Sequence, residues 1–239
     1  MIKQPIFIAL DVSSEKAAYK ILDAFPANNR PAVKVGMELF YVAGPEFVRG
    51  LKAKGYTVFL DLKLYDIPNT VQKATQNLAE LGVDYLTVHA AGGRRMLEAA
   101  LYGAEKGAQI AGLSRMKLLG ITQLTSFSEA EMQETQLVNA SMRESVLHLA
   151  KIADEVGIAG VISSAYEAAE IHKITGANFL TITPGIRFAE DEQGDQRRVM
   201  TPQQAGANGA DGLVMGRSIT GAQDVVAAYQ RATAEFLEK

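Results

Sequence analysis

The stretch Leu60-Asp61-Leu62-Lys63-Leu64-Tyr65-Asp66-Ile67-Pro68-Asn69-Thr70 places an apolar stripe and a charged stripe on one short segment. Successive side chains of a strand point to opposite faces, so Asp61 and Lys63 share one side and Leu60, Leu62 and Leu64 take the other. Pro68 then suits the first turn of a helix. Such a strand fits the wall of a parallel barrel, with leucines against the surrounding helices and charges facing the interior. Inward charges are costly to desolvate without partners. The second strand offers one, since in Ala32-Val33-Lys34-Val35-Gly36 the lysine occupies the face that the valines avoid, and Asp11 closes the apolar run Ile6-Phe7-Ile8-Ala9-Leu10. Two ammoniums and two carboxylates therefore meet at the top of three strands, with Asp66 just beyond. A purely structural ion-pair network at the barrel mouth is the plain alternative.

The remaining chain repeats the strand-then-helix alternation of a parallel sheet. Strands are expected at Ile6–Asp11, Ala32–Val35, Thr57–Lys63, Tyr85–His89, Met116–Thr122, Gly160–Ser163, Phe179–Thr183 and Gly212–Gly216. Helices are expected near Ser14–Phe25, Pro45–Lys54, Pro68–Leu81, Arg94–Lys106, Glu144–Val156, Ala165–Thr175, Pro202–Asn208 and Ala222–Leu237. Pro45, Pro68 and Pro202 serve as starts, and Gly55, Gly82, Gly107, Gly157 and Gly176 as stops. Eight units in 239 residues leave little spare chain. The expectation is an α/β fold, a single (β/α)8 TIM barrel over residues 1–239 with its active site at the C-terminal strand ends; an open doubly wound sheet is the alternative.

Composition narrows the function. With 24 Lys+Arg against 27 Asp+Glu the formal net charge is −3, which disfavours bulk nucleic-acid binding and leaves small anions as the better ligands. The absence of Cys excludes disulfides, thiolate zinc sites and cysteine nucleophiles, and is what a reducing cytoplasm permits. The first apolar run is too short for a signal-peptide core, and no run approaches a membrane span. A cytoplasmic protein with no membrane or nucleic-acid partner is expected.

Two connections exceed ordinary loop length. Gln123–Arg143 follows the fifth strand, with a short helix expected near Glu129–Gln136, and the polar Arg187–Met200 follows the seventh. Both leave from strand C-terminal ends and are candidate lids. Pro184-Gly185-Ile186-Arg187 and Gly216-Arg217-Ser218 sit after strands seven and eight, where barrels often hold phosphate, each joining a glycine to a guanidinium that can grip phosphate oxygens. Of the acids in the second long loop, Glu190, Asp191, Glu192 and Asp195, most should face solvent. His89 ends the fourth strand without the companions a metal site needs.

The Asp61-x-Lys63-x-x-Asp66 pattern, with Lys34 and Asp11 on the preceding strands, resembles the orotidine 5′-phosphate decarboxylase superfamily, which also contains keto-gulonate phosphate decarboxylases and hexulose phosphate synthases. Thr122-Gln123-Leu124-Thr125-Ser126, Thr183-Pro184-Gly185-Ile186-Arg187, Asp195-Gln196 and Val214-Met215-Gly216-Arg217-Ser218 narrow the resemblance to the decarboxylases of orotidine 5′-phosphate themselves. It spans Asp11 to Arg217. The resemblance implies decarboxylation to uridine 5′-phosphate in pyrimidine synthesis, with no metal and no cofactor. Lys63 would stabilise the C6 carbanion and protonate it. Asp61 would lie beside the substrate carboxylate or hold the flanking lysines, Lys34, also counted as catalytic, would meet the ribose hydroxyls or the carboxylate edge, and Asp11 would accept hydrogen bonds from the ribose. Thr125 and Ser126 would lie by the pyrimidine. Pro184, Arg187, Gly216 and Arg217 would hold the phosphate, and Gln196 would close over it. Asp66, Ile67 and Thr70 would reach the neighbouring site of a homodimer, making Asp66 catalytic and Thr70 substrate-binding there. A magnesium-dependent sugar-phosphate enzyme with Asp11 and Asp61 near the metal is the rival, and a phosphate or nucleotide sensor the non-enzymatic one.

Overall fold

Alternation along each strand builds two apolar compartments. In the computed structural model, which describes residues 5–176, 178–191 and 199–238, β1 (Ile6–Ala9), β2 (Ala32–Gly36) and β3 (Val58–Leu64) turn Phe7, Ala9, Ala32 and Phe59 inward. Ile6, Ile8, Val33, Val35, Leu60 and Leu62 turn outward into the layer shared with the helices. The remaining strands are β4 (Tyr85–His89), β5 (Lys117–Ile121), β6 (Gly160–Ile162), β7 (Leu180–Thr183) and β8 (Gly212–Met215). All neighbours pair in parallel, and β8 closes on β1. The closed (β/α)8 barrel is therefore present. Inside it Phe7, Phe59 and Tyr85 meet edge to face, with ring centroids 5.3–6.1 Å apart, and plug the barrel below its mouth.

The helices are α1 (Glu15–Leu22), α2 (Met37–Ala53), α3 (Pro68–Ala79), α4 (Gly93–Ala111), α5 (Glu129–Gln136), α6 (Met142–Val156), α7 (Ala168–Thr175), α8 (Pro202–Ala207), α9 (Arg217–Thr220) and α10 (Val225–Leu237). The expected extra helix is α5. Element ends otherwise differ from the sequence reading by at most three residues, but three departures are larger. A first helical segment starts at Met37, directly after β2, and joins the expected Pro45 segment through Gly44 at φ 70°. The four-residue α9 was not expected; it directly follows Gly216 at the end of β8. Finally, α4 runs through Gly107, read as a stop, to a left-handed Gly112. No helix among the described residues is long and apolar enough to cross a membrane.

Gly107 is a packing residue. A Cβ there would lie 2.3 Å from the Gln76 carbonyl oxygen of α3, and one at Gly103 would lie 2.3 Å from that of Gln72. The two helices thus meet backbone to backbone. Helix propensity alone would make Gly→Ala stabilising by about 1 kcal/mol, whereas overpacking costs about 1–3 kcal/mol. The clash is with backbone, which cannot rotate away, so the overpacking cost falls at about 2–3 kcal/mol and Gly103→Ala is expected to lower the urea midpoint, a net destabilisation of about 1–2 kcal/mol. A raised midpoint would contradict this account of the α3–α4 contact.

Candidate active site

Four charged side chains form a row across the mouth of β1 to β3. Lys34 Nζ donates to Asp11 Oδ1 at 2.7 Å and stands 3.8 Å from Asp61 Oδ2, which also accepts from Lys63 Nζ at 2.7 Å. The side chains of Lys34 and Asp61 are only 9% and 15% exposed, so solvent screens their attraction far less than that of surface pairs. Asp11, at 56%, opens to the cavity side.

Lys63 reaches this row by a route that strand alternation did not reveal. Its φ is 51°, in the left-handed region, which costs a non-glycine residue about 1–2 kcal/mol. Pairing with β4 jumps from Leu60↔Leu86 to Leu64↔Val88, so four residues of β3 advance against two of β4. At the bulge the Lys63 N–H donates to Thr87 Oγ1 at 2.9 Å, and the Thr87 hydroxyl donates to Asp61 Oδ1, also at 2.9 Å. Thr87 is wholly buried on β4. Its signal in the sequence is only that of a threonine in a strand, so it escaped notice.

The charges border a cavity of about 530 Å³, whose apolar lining includes Ala9, Phe59 and Val214 from the barrel interior. On its β5–β6 side lie Ile121, Ile162, Gln123, Leu124 and Thr125. The buried Gln123 amide donates to Gln136 Oε1 at 2.9 Å and to Ser145 Oγ at 3.0 Å, and Gln136 returns a bond at 3.0 Å. These bonds hold the long β5 connection against α5 and α6.

Between β6 and β1, the ends of β7 and β8 complete the wall with Pro184, Gly185, Arg187, Gly216 and Arg217. Gly185 has φ 76°, a turn that a side chain would strain. Arg187 N–H donates to the Met200 carbonyl at 3.1 Å, beside the Ile186↔Met200 bridge, and its guanidinium donates to the Ile186 carbonyl at 2.9 Å. Burial first, and then the like charge of Arg217, push the Arg187 guanidinium below its ordinary pKa. An arginine nevertheless remains protonated in a protein. Two guanidiniums at one end of a cavity favour an anion between them.

The cavity thus gathers Asp11, Lys34, Asp61, Lys63, Thr125, Pro184, Arg187, Gly216 and Arg217. Ser126 is exposed outside the lining. Asp66 and Thr70 are also exposed and line no part of it; Asp66 Oδ1 accepts from the Ile67 N–H at 2.6 Å. Gln196, Glu192 and Asp195 lie outside the described residues. Glu190 faces solvent in an ion pair with Arg231, and Asp191 accepts from the Phe188 N–H at 3.1 Å. His89 lies against Tyr65, with ring centroids 5.2 Å apart, and burial, aided by Lys63, lowers its pKa. Among the described residues no group of three or more His, Asp or Glu side chains is placed to hold a metal ion.

Residues 4–232 match the Orotidine 5′-phosphate decarboxylase / HUMPS family. A protein of Oenococcus oeni named orotidine 5′-phosphate decarboxylase is 51% identical over 233 residues, covering 98% of this chain and 99% of its own. One of the same name from Lactiplantibacillus plantarum is 51% identical over 234 residues, with 98% and 99% covered. The crystal structure of orotidine 5′-phosphate decarboxylase from Lactobacillus acidophilus superposes with a TM-score of 0.88 at 42% identity, over 98% of this chain and 100% of that one. Barrel, charged row and near full-length likeness agree: the chain belongs to the orotidine 5′-phosphate decarboxylase / HUMPS family.

Proposed function

We propose that the protein is a carboxy-lyase that converts orotidine 5′-phosphate to uridine 5′-phosphate and carbon dioxide in pyrimidine nucleotide synthesis in the cytoplasm. The observation that carries this reading is the Asp11–Lys34–Asp61–Lys63 row facing Arg187 and Arg217 across one cavity. The names and near-complete overlap of the relatives support it.

Breaking the bond between C6 and the carboxylate leaves its electron pair on C6, in the plane of the pyrimidine ring, where no neighbouring carbonyl can take it up. Stabilisation must come through space. An ammonium at about 4 Å contributes roughly 4 kcal/mol at an effective dielectric of about 20. Lys63 is assigned this role and then passes its proton to C6, leaving a neutral amine that is reprotonated from solvent. Asp61, fixed between two ammoniums, keeps Lys63 and Lys34 aimed at the ring. Lys34 and Asp11 face the ribose, Thr125 the base, and the two arginines with Pro184 and Gly216 the phosphate, while Ser126, exposed outside the lining, is left without a role. Gripping the phosphate, remote from the reacting carbon, supplies binding energy that positions the ring.

Asp66, Ile67 and Thr70 are assigned to the active site of a second copy. Two features support this: these residues are exposed and line no part of their own cavity, and Tyr65 and Ile67 expose 62% and 66% of their surface on the same loop. Tyr41 and Val42 of α2, at 74% and 67%, add apolar surface after β2. The magnesium-dependent rival meets an obstacle in the geometry, because both carboxylates it would use, Asp11 and Asp61, already accept an ammonium.

Incubation with orotidine 5′-phosphate should abolish its absorbance band and yield uridine 5′-phosphate, undiminished by EDTA; binding without product would point to a sensor, and magnesium-restored turnover to the rival. Lys63→Ala should lower kcat by about 10⁴-fold or more, through loss of both charge stabilisation and proton delivery. Arg187→Ala and Arg217→Ala should each raise KM by about 10- to 100-fold, the range for losing a charge-assisted hydrogen bond. A mixture of Lys63→Ala and Asp66→Asn chains should recover up to about a quarter of native activity after subunit exchange, because half the dimers are mixed and each contains one intact site. No recovery in mixed dimers would exclude shared sites.

A further inference from the structure

We infer that Thr87 is the positioning residue that sets the charge row, acting on Asp61 and on the Lys63 backbone together; this rests on the decarboxylase reading. Thr87 occupies the one place where β3 leaves register with β4. Its hydroxyl has a single proton. Accepting from the Lys63 N–H leaves that proton for Asp61 Oδ1, so the direction of the hydroxyl is fixed at both ends. Asp61 Oδ1 is thereby held on the β4 side, and Oδ2 is left to face the two ammoniums at 2.7 and 3.8 Å. The same contact gives the Lys63 amide a buried partner in its left-handed conformation. Without it that N–H would be driven toward a β4 carbonyl, and ordinary strand geometry would carry the Lys63 side chain to a different place.

Valine has the shape of threonine without the donor and acceptor. Thr87→Val should therefore fold, since position 87 is enclosed in the barrel, yet leave both Asp61 Oδ1 and the Lys63 N–H unmatched. A displacement of the reacting group by about 1 Å can cost about 10²-fold, so kcat should fall by about that factor while KM, set largely by the phosphate grip, changes by less than about threefold. Thr87→Ser keeps the hydroxyl and should retain kcat within about threefold of native. Thr75→Val, at another wholly buried threonine, lying on α3 away from the cavity, should leave kcat unchanged and controls for loss of a buried hydroxyl as such.

A crystal structure of Thr87→Val should show Lys63 outside the left-handed region or its Nζ withdrawn from Asp61. This readout holds whatever substrate the enzyme takes: native protein inactive on orotidine 5′-phosphate would sink the functional reading, while an unmoved Lys63 in Thr87→Val would sink the positioning role. Equal kcat in native and Thr87→Val protein would overturn it as well. If Thr87→Val does not fold, hydrogen exchange on native protein decides: a Lys63 amide as protected as those of neighbouring β3 residues supports the bond to Thr87, and a rapidly exchanging one refutes it.

Discussion

A single carboxylate shared between two ammoniums, held over an aromatic plug, is the constraint on which the rest depends. Asp61 Oδ2 meets Lys63 and Lys34, and Lys34 is tied in turn to Asp11. Asp61 is the member the others depend on most: without it Lys63 loses its ion-pair partner and Lys34 one of two, and losing one partner of a buried pair is more destabilising than the pair is stabilising. The row is placed by register: each of the first three strands contributes one or two inward apolar side chains and then a charged one, so that Phe7 and Phe59 lie beneath Asp11 and Asp61.

The two ends of the cavity divide the labour. At the β7–β8 end, two arginines and two glycines form a rigid cationic wall, with Arg187 fixed by its own backbone contacts to Ile186 and Met200. At the β1–β3 end, charges of both signs neutralise one another, and in the proposed reaction a new negative charge develops beside Lys63. A site of this kind is preorganised: its charges are already in place and need no solvent rearrangement when the electron pair forms. The left-handed backbone of Lys63 belongs with this arrangement, since such a conformation at a non-glycine residue persists only when the surroundings hold it there.

Much of this was legible in the sequence. The eight strand and helix periods, Pro and Gly punctuation, and the charge stripe of Asp61 and Lys63 led to the barrel and to the face that carries the chemistry. Where local signals misled, tertiary contact was the reason. Gly107 reads as a helix stop, but it lies inside α4, where α3 comes too close for any side chain. The α2 start at Met37 has neither proline nor a side-chain cap to announce it.

By itself the sequence determined which residues could be charged, which strands carried them, and that Arg187 and Arg217 fall after strands seven and eight, because side-chain alternation and turn chemistry are local properties of the chain. Only the tertiary structure decided that Lys63 turns left-handed, that Thr87 binds its amide and Asp61 at once, and that Asp66 and Thr70 stay exposed outside the cavity lining of their own chain. Those facts depend on how far β3 slips against β4 and on which loops find each other, and both are fixed by packing between segments that are distant along the chain.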